Sequence, residues 1–158
     1  MRHLSRRTVA FAVCSGAVLL IGGSWAYATA DGGAARIADD PVVEKVVELT
    51  EIDLGEKGPS PGDRVVIRTV TTTDAGKPVG EGYSDNGLVR VDPPIYSVNS
   101  TLRLRDGDIT VGGIYDASKT EASFRIVAGT GRYTGLTGRQ DGTQPSADTY
   151  RSTFHFTR

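Results

Sequence analysis

Hydrophobic and polar residues alternate with a period of two along most of this chain, and no stretch beyond residue 30 carries a helical period. Ile95 to Arg105 shows the pattern most clearly. Tyr96, Val98, Ser100, Leu102 and Leu104 fall on one face, and Asn99, Thr101, Arg103 and Arg105 on the other. Such alternation marks a strand with one buried and one wetted face. Val46–Ile52, the β-branched run Arg64–Thr73, Asp108–Tyr115, Glu121–Ala128, Tyr133–Asp141 and Asp148–Arg158 are read as strands in the same way. Val79–Ser84 and Leu88–Val91 flank Asp85-Asn86-Gly87, and Asn-Gly predicts a hairpin turn there. The breaks are dense in turn residues: Gly58-Pro59-Ser60-Pro61-Gly62-Asp63, Asp74-Ala75-Gly76-Lys77-Pro78 and Asp92-Pro93-Pro94. About eight or nine short strands joined by tight turns predict an all-β antiparallel meander. A meander of that size removes its exposed edges by closing into a barrel, although a two-sheet sandwich satisfies the same pattern.

The N-terminal stretch reads differently. Arg2, His3, Arg6 and Arg7 precede an apolar run from Val9 to Trp25, followed by Ala26-Tyr27-Ala28-Thr29-Ala30. Basic, apolar, then small is the order of a secretory signal, so residues 1–30 are expected to form a signal helix cleaved after Ala28 or Ala30. A membrane anchor is the competing reading, since the stretch from Thr8 to Ala30 is about long enough to span a bilayer, but Gly16, Gly22, Gly23 and Ser24 dilute it. Residues 31–42 are rich in Gly, Ala and Asp and read as a flexible leader, which leaves 43–158 as one barrel domain. A secreted protein is therefore expected.

Composition narrows the chemistry. Cys14 is the only cysteine and lies in the signal, so the mature chain can form neither a disulfide nor a thiolate site. Removing residues 1–30 removes three arginines, leaving 15 basic against 19 acidic side chains, a net charge of −4. No basic patch points to nucleic acid. His155 is the sole mature histidine, so no site built on two imidazoles can be assembled, and no metal is expected.

Phe124-Arg125-Ile126-Val127-Ala128-Gly129-Thr130-Gly131-Arg132-Tyr133-Thr134-Gly135-Leu136-Thr137-Gly138 is a strand, then Gly-Thr-Gly before an aromatic residue, then Gly-x-x-Gly and a further strand. This hairpin resembles that of the allene oxide cyclase-like and dirigent-like β-barrels. Glu48-Leu49-Thr50-Glu51-Ile52-Asp53 and Gly62-Asp63 are similar to the start of the same barrel. The resemblance implies a calycin-like closed barrel over roughly residues 46–158 whose interior takes a small apolar ligand. It implies a cofactor-free cyclase or isomerase that holds an already reactive molecule near its attack geometry. The alternative it leaves open is a non-catalytic dirigent-like or lipocalin-like binding barrel. It also implies homodimers or homotrimers, for which Val65, Ile67 and Ile114 are candidate outward residues. Without the family, Gly129 and Gly131 are expected at positive φ in a tight reversal.

Barrel walls use alternate residues. In the last strand Tyr150, Ser152, Phe154 and Phe156 share a face opposite Arg151, Thr153, His155 and Thr157, and the aromatic face is expected inside. Tyr150, Phe154 and Phe156 are thus candidates for either core or ligand wall, with Tyr83, Tyr96 and Tyr115 as further wall candidates. Arg125 is a candidate charged partner for a ligand. Glu51 is the candidate catalytic carboxyl: if its face is interior, burial favours its protonated form, and it could protonate a bound oxygen. A solvated strand position beside Arg68 or Arg125 fits the same residue.

Overall fold

The computed structural model describes residues 41–55 and 57–157, so the expected signal helix and most of the leader lie outside the described residues. The strands are β1 (Val42–Ile52), β2 (Arg64–Thr73), β3 (Pro78–Arg90), β4 (Ile95–Leu104), β5 (Gly107–Asp116), β6 (Glu121–Gly129), β7 (Thr137–Ser146) and β8 (Thr149–Thr157). Each pairs antiparallel with its neighbour, and β1 pairs with β8, so the eight close into a barrel. Closure leaves no strand edge free along the β1–β8 seam where Val42–Lys45 meet Thr149–Ser152.

One predicted turn is absent. Asp85-Asn86-Gly87 lies inside β3, where Asn86 pairs with Val65 on one side and Val98 on the other. A type I′ turn needs positive φ at both central residues, and neither Asn86 nor Gly87 has it. Turning there would strand the long runs β2 and β4, whose pairing with β3 outweighs the local preference. A second difference lies before β7, which begins at Thr137 rather than Tyr133, because Gly131–Tyr133 forms a single 3₁₀ turn. Gly131 has φ +55, as expected, but Gly129 does not take positive φ. Gly129 is needed instead for close approach, because a Cβ there would collide with the Tyr133 carbonyl.

Loops 53–63 and 91–94 lie at one end, called here the rim, and the 130–136 connection lies at the opposite base. The apolar core sits toward the base. Val42, Leu102, Ile109, Val111, Ile126, Tyr133 and Phe154 pack together, with Leu104, Phe124 and Phe156 against them. Phe154 is fully buried, and the Tyr133, Phe156 and Phe154 rings stack in sequence at 6.0 Å centroid spacing. At the rim, the Asp63 carboxylate pins loop 53–63 by accepting the backbone N–H of Leu54 at 3.0 Å and of Ser60 at 2.7 Å. Those bonds hold its pKa below the usual range.

β2 is apolar on both faces in sequence, and the register decides between them. Ile67, Thr69 and Thr71 are buried, while Val66 and Val70 are exposed outside. Val65 and Ile67 therefore belong to the inward row, opposite Asn86 and Ser84, and do not supply the outward face expected of them. Ile114 is exposed. Thr71 is 1% exposed, and its hydroxyl has no hydrogen-bond partner. An enclosed unpaired hydroxyl is costly, so Thr71→Val is expected to raise the unfolding free energy by about 1 kcal/mol in urea denaturation. A loss of stability would show that the hydroxyl is bonded in solution.

Candidate functional site

The inward row of β1 begins Val42, Glu44, Val46. A bulge between Val46 and Glu48 then shifts the row to Leu49 and Glu51, which pair with Ile67 and Val65 of β2. β8 covers only the first part of this row, ending at the Lys45–Thr149 pair. Glu44 lies under that cover and is buried. Glu51 lies beyond it and is exposed at the rim. The burial on which the candidacy of Glu51 depended therefore falls on Glu44, a residue the strand reading from Val46 passed over. The extended alternation Val42-Glu44-Val46 is the signal that could have found it.

Glu44 is held by a directed network. Ser152 Oγ donates to Glu44 Oε1 at 3.0 Å, and Gln140 Nε2 donates to Ser152 Oγ at 2.8 Å. The amide nitrogen can only donate, so the Ser152 proton is committed to the carboxyl. Thr69 Oγ1 donates to Oε2 at a longer 3.4 Å. Gly82 makes room: a Cβ there would lie 2.9 Å from Oε2 and would collide with the Thr69 hydroxyl. Burial pushes the Glu44 pKa up, and the two hydroxyl donors oppose it only in part. Burial thus shifts Glu44 toward its protonated form, with Oε1 occupied as an acceptor of the Ser152 proton.

From Glu44 toward the rim the wall is tyrosine-rich. Tyr150 is the register partner of Glu44, and Tyr115 pairs with Tyr96. All three rings are half-buried on the inward face. Burial raises the pKa of Tyr150 first, and the nearby Tyr115 and Glu44 add to it. Burial likewise raises Tyr115, with Asp116 adding, and Tyr96, with Glu51 and Asp63 adding. The hydroxyl of Tyr115 donates to the Lys119 carbonyl at 3.0 Å, with Gln144 Oε1 at 3.3 Å. Val98 and Ser100 continue the inward row of β4, again half-buried. The interior is thus packed at the base, and its rim half, called here the cup, is lined by half-buried inward residues that include Tyr96, Ser100, Tyr115 and Tyr150.

The remaining sequence candidates lie elsewhere. Phe154 and Phe156 are on the inward face but belong to the packed base. Tyr83 points outward and donates to Glu81 Oε2 at 2.6 Å. Its parity is that of Glu81 and Asp85, because Gly82 and Ser84 take the inward positions of β3. Arg125 is exposed on the outer face, between the inward Phe124 and Ile126, and borders a shallow outer recess with Val127 and Thr137. His155 is also outside, 3.1 Å from an Asp141 carboxylate that accepts from Ser123 and Arg139 as well. Arg68 reaches Glu48 rather than Glu51. Among the described residues, no three His, Cys, Asp or Glu side chains converge as a metal site.

The sequence profile of the allene oxide cyclase barrel like domain matches residues 43–156. No curated protein sequence matches the chain. Among solved structures, a pyocyanin demethylase superposes with TM-score 0.67 at 20% identity, covering 74% of this chain and 98% of that one. A Diels-Alderase from Streptomyces koyangensis gives TM-score 0.63 at 19% identity, over 77% of this chain and 62% of that one. A pterocarpan synthase dirigent protein gives TM-score 0.59 at 16% identity, over 75% of this chain and 94% of that one. At these identities the likeness is one of fold.

Proposed function

Because the chain belongs to the allene oxide cyclase barrel like domain family, we propose that it is a cofactor-free, cyclase- or isomerase-like barrel that binds a small apolar, reactive molecule in the tyrosine-lined cup. The observation that carries this reading is Glu44, a carboxyl kept toward its protonated form and oriented by Ser152 and Gln140 beneath Tyr150. Structural proteins seldom bury a carboxyl without a cationic partner, because its ionised form is costly there. An acid poised in this way can donate to a ligand oxygen as negative charge develops on it during ring closure or isomerisation. The apolar and aromatic wall holds one conformer near its attack geometry, and the proton returns to Glu44 when the product forms.

A second reading, a dirigent-like or lipocalin-like carrier, is favoured by the export pattern of residues 1–30, since reactive biosynthetic intermediates are usually made inside the cell. We extend the proposal to secretion on the same pattern. Native mass spectrometry of the full chain, after incubation with extract of its source organism, tests the function. The expected result is one retained small molecule, lost in Val98→Trp, whose larger ring fills the cup. A molecule released in altered form identifies the cyclase, and one released unchanged identifies the carrier. For a cyclase, Glu44→Gln is expected to slow turnover by about 10²–10⁴-fold. A folded barrel that retains nothing refutes both.

A further inference from the structure

We infer that the cup takes an uncharged, oxygen-bearing apolar molecule and rejects carboxylates. The inference rests on the cup proposed above and adds the charge class of its ligand. Its ground is the distribution of charge across the barrel wall. Among the described residues no Lys, Arg or His is buried. In the strands these side chains fall on the outer rows: Lys45 between Glu44 and Val46, Arg103 between Leu102 and Leu104, Arg125 between Phe124 and Ile126, Arg151 between Tyr150 and Ser152.

Three of the acids, unlike any of these cations, lie within the barrel or at its mouth. Glu44 lies within the barrel, Glu51 continues the same inward row at the rim, and Asp63 stands close enough to raise the Tyr96 hydroxyl together with Glu51. An anion entering this cup passes two carboxylates at the mouth, sheds its water and meets no cation inside. Its desolvation goes uncompensated. A carbonyl or ether oxygen carries no such penalty, and it can accept the proton that Glu44 does not need for Ser152 or Thr69, both of which donate to it. The half-buried rings of Tyr96, Tyr115 and Tyr150 suit the apolar body of such a ligand.

Two probes of equal size and opposite charge class decide it: 2-acetylnaphthalene, a neutral ketone, and 2-naphthoate, its carboxylate analogue. Equilibrium dialysis of each against the full chain at pH 7.5 is expected to show the ketone binding at least tenfold more tightly. Val98→Trp is expected to abolish ketone binding, and Ser100→Arg, which places a cation on the inward row, to reverse the preference. Naphthoate binding as tightly as the ketone to the native chain would overturn the charge class and leave the cup standing. Ketone binding that survives Val98→Trp would place the probe elsewhere and overturn the inference. Failure of both probes to bind a folded barrel would overturn the cup and the inference together.

Discussion

Phe154→Ala is expected to lower the unfolding free energy by about 3–5 kcal/mol, the cost of a large ring removed from a site that cannot collapse. Phe154 has no exposed surface and lies where Val42, Leu102, Ile109, Val111 and Ile126 converge. The neighbours that would have to move are strand residues fixed by pairing on both sides, as Leu102 is by Gly82 and Ile109. The cavity therefore persists, and its volume adds to the lost transfer energy. Urea denaturation followed by circular dichroism reads the change as a lower midpoint with an unchanged slope. Phe156→Ala is the internal comparison. Phe156 is only partly buried and stacks on both Phe154 and Tyr133, so its loss is expected to cost less. Equal costs would extend the packed core further toward the base than the structure does.

Glu44→Gln is expected to change the pH dependence of stability more than any other single substitution in the barrel. Burial raises the Glu44 pKa above its value in the unfolded chain. A group shifted in that direction contributes fully below the unfolded pKa, near 4.3 for glutamate, and the contribution is lost as pH rises through the folded value. The native chain should therefore lose up to about 1.4 kcal/mol per pH unit from this one group across that window. Glutamine keeps the shape and cannot ionise. The stability of Glu44→Gln relative to the native protein should thus rise as pH increases from about 4. Asp63, Asp116, Asp141 and Asp148 have lowered pKa values and act at the other end. Their contribution is present above the ordinary aspartate pKa and is lost as pH falls through their folded values, so it does not overlap the Glu44 window. Urea midpoints for both proteins at pH 5, 6, 7 and 8 test this. Parallel curves would mean that Glu44 stays ionised in the folded barrel, and the proton donor proposed for the cup would be gone.

Much of the fold was legible because strand residues alternate and turns need particular residues. Tyr96, Val98, Ser100, Leu102 and Leu104 line the interior as their spacing predicts, and Tyr150, Ser152, Phe154 and Phe156 do the same in β8. Local signals failed where pairing partners overrode them. Asn86-Gly87 is a hairpin signal held straight between β2 and β4. Tyr83 was a wall candidate on residue type, but its parity in the merged β3 sends it outside.

The site was less legible than the wall, for a reason visible at β1. Glu44 and Glu51 are both glutamates in a strand, and sequence gives them equal standing. What separates them is the Val46/Glu48 bulge and the reach of β8, which covers Glu44 and stops before Glu51. Ser152, Gln140, Thr69 and Gly82 come from four other positions in the chain, and only barrel closure brings them around one carboxyl. Sequence by itself determined most of the strands, most of their inward faces, the family resemblance and the absence of cysteine beyond residue 14, because these depend on periodicity and composition. The tertiary structure alone decided which carboxyl is buried, which aromatics plug the base and which line the mouth. Those properties depend on register and on where one strand ceases to cover its neighbour, and neither is recorded in any single strand.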